Sequence, residues 1–189
     1  MLECPLESWF TQQGWLPHDF QRDAWDAYAA GEEVLIQAPT GSGKTYAGLG
    51  ATLREGVERK RLGERVTGLQ LIWIAPIRAL TKEIQYSAQR MVDGMGLDWE
   101  VGVRTGDTSS KEKANQRKKM PHILITTPES LHVMLAMKGV EKRFGDLRVM
   151  VVDEWHDLMG TKRGTQVELA SAWFRHVAPK YRCWGISAT

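Results

Sequence analysis

The sequence predicts an α/β domain in which a mostly parallel central sheet carries helices on both faces. Three observations lead there. Six short apolar runs each end in small or polar residues, the composition of strands buried on both faces. The segments between them repeat apolar residues with helical spacing, and such alternation covers a sheet from both sides. A glycine-rich bend follows the first run and an acidic pair closes the fifth, which is where open α/β sheets bind ligands.

Taken in order, residues 19–30 place Phe20, Ala24, Ala27 and Tyr28 on one stripe, with Gly31 as a helix stop. The first strand is 34–37, and a helical stretch follows the glycine-rich bend. A second strand covers 69–75 and a helix 79–95. The third strand is 101–103. Ser109 and Glu112 have capping-box spacing ahead of a charged helix through Lys119. Strands at 123–126 and 149–153, a helix at 166–177 and a strand at 184–187 complete the pattern.

A length of 189 residues suits one well-cored domain, so 1–189 is read as a single unit. With 42% hydrophobic and 25% charged residues, disordered, collagen-like and fibrous classes are excluded. A net charge of +2 is compatible with nucleic acid and does not identify it. The N-terminus has no basic and apolar leader, and no apolar run approaches the ~20 residues of a membrane span, so a cytoplasmic address without membrane contact is expected. Cys4 and Cys183, at opposite ends of the chain, are expected to be free thiols.

The first strand leads into Ala38-Pro39-Thr40-Gly41-Ser42-Gly43-Lys44-Thr45. This departs from the phosphate-loop pattern G-x-x-x-x-G-K-[ST] only at Ala38. Gly41 and Gly43 let the backbone turn its N–H groups, with those of Thr40 and Ser42, toward phosphate oxygens, and the following helix adds its positive end. Lys44 would reach the outer phosphates of ATP and Thr45 would ligate Mg²⁺. After 149–152 comes Asp153-Glu154-Trp155-His156. Asp153 can hold the same Mg²⁺ and Glu154 can deprotonate an attacking water, so ATP hydrolysis is the expected reaction. His156 is read either as a structural histidine or as a link between that site and moving parts of a motor.

Together these motifs resemble the DExH-box branch of superfamily 2 helicases, and further stretches fit the family in order. Phe20-Gln21-Arg22 is similar to its Q motif, whose glutamine reads the adenine edge. Ala75-Pro76-Ile77-Arg78-Ala79-Leu80 resembles motif Ia, Thr105-Gly106-Asp107-Thr108 the loop between Ia and Ib, Thr126-Thr127-Pro128-Glu129-Ser130-Leu131 motif Ib, and Ser187-Ala188-Thr189 motif III. The wording of these stretches, and Trp155 above all, resembles the Lhr (large helicase-related) group, and most its ligase-associated DNA-repair branch.

The resemblance implies a RecA-like P-loop NTPase fold, the first of two motor halves, driven by ATP and Mg²⁺. It implies contacts from Pro76, Arg78, Thr105, Gly106, Thr127, Pro128 and Ser130 to the backbone of one nucleic-acid strand, which position without reading sequence. Coupling of hydrolysis to closure of the halves falls to His156, Ser187 and Thr189. The implied partners are single-stranded DNA, a DNA or RNA–DNA duplex, a second RecA-like domain, and DNA ligase with other repair proteins. Nothing in the sequence resembles motifs IV to VI, so the second half is expected to be absent and turnover by this chain alone to be low, because a missing arginine finger costs about 10³ to 10⁵ in related NTPases. Three alternatives stand beside this reading: a nucleotide-binding module without turnover, an RNA-directed helicase, and a P-loop ATPase unrelated to nucleic acid, which the motif Ia and Ib sequences disfavour.

Three features could mislead. Lys111, Lys113, Arg117, Lys118 and Lys119 read as a solvated helix face interrupted by Glu112. Core packing is the default for Trp9, Trp25, Trp73 and Trp173, while Trp15 is placed near the nucleotide base. Glu129 and His132 lie three apart, a metal-binding spacing only beside a second such pair; no transition metal is assigned.

Overall fold

The computed structural model describes residues 4–188. In chain order these form α1 (Pro5–Gln12), α2 (Asp19–Ala30), β1 (Leu35–Gln37), α3 (Lys44–Arg61), β2 (Leu71–Ile74), a 3-10 turn (Arg78–Leu80), α4 (Thr81–Gly94), β3 (Val101–Arg104), α5 (Ser110–Lys118), β4 (Ile123–Thr126), α6 (Pro128–Leu135), α7 (Glu141–Phe144), β5 (Val149–Val152), α8 (Trp155–Leu158), α9 (Lys162–Val177) and β6 (Arg182–Ser187). The sheet has the order β1-β6-β5-β2-β4-β3, and every pairing is parallel. Parallel neighbours bring all six carboxyl ends to one edge. Gln37 lies opposite Ser187 and Val152 opposite Gly185, so β6 sits between the strand that enters the phosphate loop and the strand that delivers the acidic pair.

Strand side chains alternate between two cores. Leu71 and Trp73 of β2 face the core covered by α1 to α4, with Leu6, Trp25, Leu49 and Met91; Ile72 and Ile74 face the core covered by α6 to α9, with Leu131, Phe144 and Phe174. The expected helices on both faces are present. Trp9, Trp25 and Trp73 are buried and Trp173 is half-buried against the second core. Gly48 lets α3 press onto the sheet, since a Cβ there would come within 2.9 Å of the Trp73 ring. That close approach fixes the helix whose first turn carries Lys44 and Thr45.

Element ends differ from expectation for local reasons. The helix expected from residue 79 starts at Thr81, because a 3-10 turn intervenes and the Thr81 hydroxyl donates to the Arg78 carbonyl at 2.7 Å. The helix expected from 166 starts at Lys162, where the Thr161 hydroxyl caps the Gly164 N–H at 3.1 Å. Helix α1, with proline in its first turn and Leu6, Trp9 and Phe10 buried, was not expected from the pattern. Both Cys4 and Cys183 are free thiols. Among the described residues no helix is long and apolar enough to cross a membrane.

Candidate functional site

The phosphate loop joins β1 to α3 by a bend that needs two left-handed residues, Gly41 at φ 79° and Gly43 at φ 86°, a conformation that side chains disfavour. The Ser42 hydroxyl donates to the Pro39 carbonyl at 2.6 Å and closes the turn. Helix α3 begins at Lys44, so its unpaired first-turn N–H groups and positive end lie in the loop. The Lys44 ammonium donates to the Ala38 carbonyl at 2.5 Å, across the mouth of the same bend. Thr40 and Gly41 are exposed and Ser42 to Thr45 half-buried.

The acidic pair stands on the carboxyl end of β5. Asp153 is held from two sides: the Trp73 indole donates to Oδ2 at 3.3 Å and the Glu154 N–H to Oδ1 at 3.0 Å. Burial pushes the Asp153 carboxyl above its ordinary pKa, opposed by the indole hydrogen bond and by the charge of Lys44. The lysine of the first motif and the carboxylate of the second therefore feel each other's field. Glu154 has φ 48°, the only left-handed non-glycine backbone among the described residues, and such strain collects where a side chain must be aimed. Its Oε2 is buried without a hydrogen bond and lies 3.4 Å from His156 Nδ1. The same His156 nitrogen is 2.8 Å from the Ser187 hydroxyl, and Nε2 is 3.3 Å from Asp157. One imidazole thus connects Glu154 to the end of β6. Thr189 lies outside the described residues.

Gln21, the residue expected at the adenine edge, bridges the start of α2 and the phosphate loop. Its side chain is 1% exposed; Oε1 accepts the His18 N–H at 2.8 Å and Nε2 donates to the Gly43 carbonyl at 2.9 Å. Both ends of the amide are engaged with backbone, one at the start of α2 and one in the phosphate loop. In this arrangement Gln21 ties the start of α2 to the phosphate loop. Trp15, 38% exposed, packs on Tyr46 in the first turn of α3 and under Arg90, whose guanidinium is 4.7 Å from the Trp15 ring.

A cavity of about 430 Å³ lies over the carboxyl ends of β3 and β4. Five of the seven expected strand contacts line it: Arg78, Thr105, Gly106, Thr127 and Ser130. Thr127 caps α6, its hydroxyl accepting the Ser130 N–H at 3.4 Å, and Arg78 pairs with Asp107 at 2.8 Å. Pro76 and Pro128 are buried and do not line the cavity; Pro128 starts α6, where its missing N–H costs no helical bond. The basic face of α5 is solvated as expected, with Lys111, Arg117, Lys118 and Lys119 exposed; Lys113 and Arg117 also line the cavity, and the Lys113 ammonium donates to the Gly106 carbonyl at 3.0 Å. The sequence reading missed Arg104 as well, a cavity-lining residue at the last position of β3. Its place at a strand's carboxyl end was the available signal. Glu129 pairs with Arg163 at 2.5 Å.

Comparisons with known proteins show the family and the fold. The profile of the DEAD/DEAH box helicase family matches residues 18–189. The chain is 35% identical over 199 aligned residues to ATP-dependent helicase Lhr-Core protein 2 of Thermococcus barophilus, covering 100% of this chain and 23% of that protein. It is 35% identical over 176 residues to the Lhr helicase/uracil glycosylase of Escherichia coli, covering 86% of this chain and 11% of that one. Among solved structures, helicase Lhr of Mycobacterium smegmatis bound to ssDNA and AMP-PNP superposes with a TM-score of 0.86 at 31% identity, over 99% of this chain and 25% of that one. The chain thus spans a quarter or less of the length of these relatives.

Proposed function

This chain belongs to the DEAD/DEAH box helicase family, and on that premise we infer that it is the ATP-binding half of an Lhr-type motor that hydrolyses ATP and moves along single-stranded DNA. The observation that carries the reading is the convergence at one sheet edge of the Lys44 loop, the Asp153–Glu154 pair and the His156–Ser187 contact. Support for ATP and for a DNA strand also comes from the M. smegmatis relative with its nucleotide analogue and ssDNA.

The residues present fit a magnesium nucleotide. Left-handed Gly41 and Gly43 shape a concave backbone, Lys44 spans it, and Asp153 is a half-buried carboxyl inside the field of that lysine. Thr45 and Asp153 would hold Mg²⁺, which when bound neutralises charge on the outer phosphates. Amides 40–44 and the Lys44 ammonium orient the triphosphate. Glu154, aimed by its backbone, takes a proton from the attacking water. His156 passes the resulting change in charge to Ser187, the last residue of β6. Arg78, Thr105, Gly106, Thr127 and Ser130 hold phosphates of the strand. The ligase-associated branch, and with it repair partners, rests on the motif wording alone.

The test is ATP turnover with and without single-stranded DNA, measured on this chain and on the parent protein through a second motor domain. Stimulation by DNA in the longer form, abolished by K44A, is expected. Normal turnover in K44A, or no response to any nucleic acid in the longer form, would overturn the reading.

A further inference from the structure

Arg104 is 5% exposed, and among the described residues its guanidinium makes one hydrogen bond, a long one of 3.4 Å to the Lys113 carbonyl, and no ion pair with a carboxylate. The acid of the cavity wall, Glu129, is paired with Arg163, and Asp107 of the neighbouring loop with Arg78. Its electrostatic neighbours are instead Arg117 and Arg143, whose like charges, after burial, hold its pKa below the ordinary value. Arg117 and Arg143 make no side-chain hydrogen bond or ion pair among the described residues. A buried cation surrounded by cations is costly unless an anion completes it.

The neighbourhood also has a direction. Arg117 lines the 430 Å³ cavity of the motif loops and, on its other side, a basin of about 740 Å³ at the amino ends of the strands. Arg143 lines that second basin with Lys60, Lys118, Lys119 and Lys142, cations that outnumber the basin's acids Glu64, Asp98 and Asp146, although Lys60 is paired with Asp98 and Lys119 with Glu100. Helix α5 is the ridge between them.

We propose that Arg104, Arg117 and Arg143 form a phosphodiester-binding cluster that takes the nucleic-acid strand beyond the motif loops and carries it over α5 toward the basic basin. This rests on the strand-binding reading above. The guanidinium is the side chain suited to the role, because its planar donors grip phosphate oxygens from a fixed position. Arg104 supplies the buried floor contact at the groove's end, Arg117 the crossing and Arg143 the first contact beyond it.

The experiment is fluorescence anisotropy of labelled single strands of about 6 and about 20 nucleotides, at several salt concentrations, with this chain and with the parent protein. Variants are R104M, R117A, R143A, R78A and, as a surface control, K111A. R104M and R117A should weaken both strands. R143A should weaken the long strand alone. Each lost contact should make the slope of log K against log salt shallower by about 0.7, which at 0.05 M salt is about eight-fold in affinity relative to a 1 M reference. K111A should bind as wild type. If R104M fails to fold, the exposed R117A and the half-exposed R143A carry the test. Wild-type binding by R117A and R143A, with R78A weakened, would overturn the cluster and leave the strand groove standing. Wild-type binding by R78A as well, or no strand binding at low salt, would remove the strand-binding reading itself. A rise in Tm with millimolar inorganic phosphate that R117A abolishes, without change in strand affinity, would mark a free-phosphate site and overturn the strand assignment.

Discussion

Replacing Gln21 by alanine separates two roles for one side chain. The buried amide accepts the His18 N–H at 2.8 Å and donates to the Gly43 carbonyl at 2.9 Å. It is packed so tightly that a Cβ added at Gly43 would come within 2.8 Å of Nε2. Alanine removes both bonds and one end of the α2 cap. At about 1 kcal/mol per bond the loss is about 2 kcal/mol, since the Gly43 carbonyl keeps its bonds from Tyr46 and Ala47. For a domain of this size that is a fall in Tm of about 4–8 °C, seen without any nucleotide. Differential scanning fluorimetry of Q21A and Q21E measures it. Glutamate keeps the acceptor for His18 but turns a second acceptor toward the Gly43 carbonyl, so Q21E should be no better than Q21A. Both should also bind ATP and CTP more weakly by a similar factor, because the whole loop is loosened. If instead Q21A melts as wild type and loses only the preference for ATP over CTP, the loop-holding role is refuted and adenine reading is supported.

Other perturbations have equally definite outcomes. E154Q in the parent protein should bind ATP normally and lose at least about 10²-fold in DNA-stimulated turnover, the share of a general base; unchanged turnover in a phosphate-release assay would displace Glu154 from that role. W73F keeps the ring packed in the core but removes the indole donor to Asp153, so the Mg²⁺ concentration for half-maximal turnover should rise about ten-fold or more, and an unchanged Mg²⁺ titration would contradict it. His122 is buried, its Nδ1 accepting the Glu100 N–H at 3.0 Å, and burial depresses its pKa below 6.5. A depressed histidine contributes stability that is complete above pH 6.5 and is lost as pH falls through the folded-state value. Chemical denaturation between pH 7 and pH 5 should therefore show a slope that H122N lacks; equal slopes would remove His122 as its source.

Much of the fold could be read because the strands are buried on both faces. Runs such as 123–126 and 149–152 have no polar alternation to confuse with a half-exposed strand, and in the structure they are the ladders of β4 and β5. Residues 19–30 were legible to the residue because Gly31 stops the helix with φ 85°. Helix α1 was not, since a short helix with only three buried side chains has too little periodicity to announce itself. The two motifs of the site were legible for a different reason: a phosphate loop and an acidic pair need fixed residue types at fixed spacing. What spacing does not encode is contact across the fold. The amide of Gln21 on the Gly43 carbonyl spans 22 residues, the Trp73 indole on Asp153 spans 80, and His156 on Ser187 spans 31. Arg104 and Arg117 face one cavity only because α5 folds back beside β3 and β4, where Gln116 donates to the Val103 carbonyl at 3.1 Å.

The central claim is that the Lys44 loop and the Asp153 carboxyl serve one metal nucleotide. Anomalous diffraction from crystals grown with AMP-PNP and Mn²⁺ tests it most directly. A single metal peak bridging the nucleotide's outer phosphates, with Thr45 beside it and Asp153 reached directly or through one water, is the predicted result. A nucleotide seated elsewhere, or a metal with no path to Asp153, would contradict it.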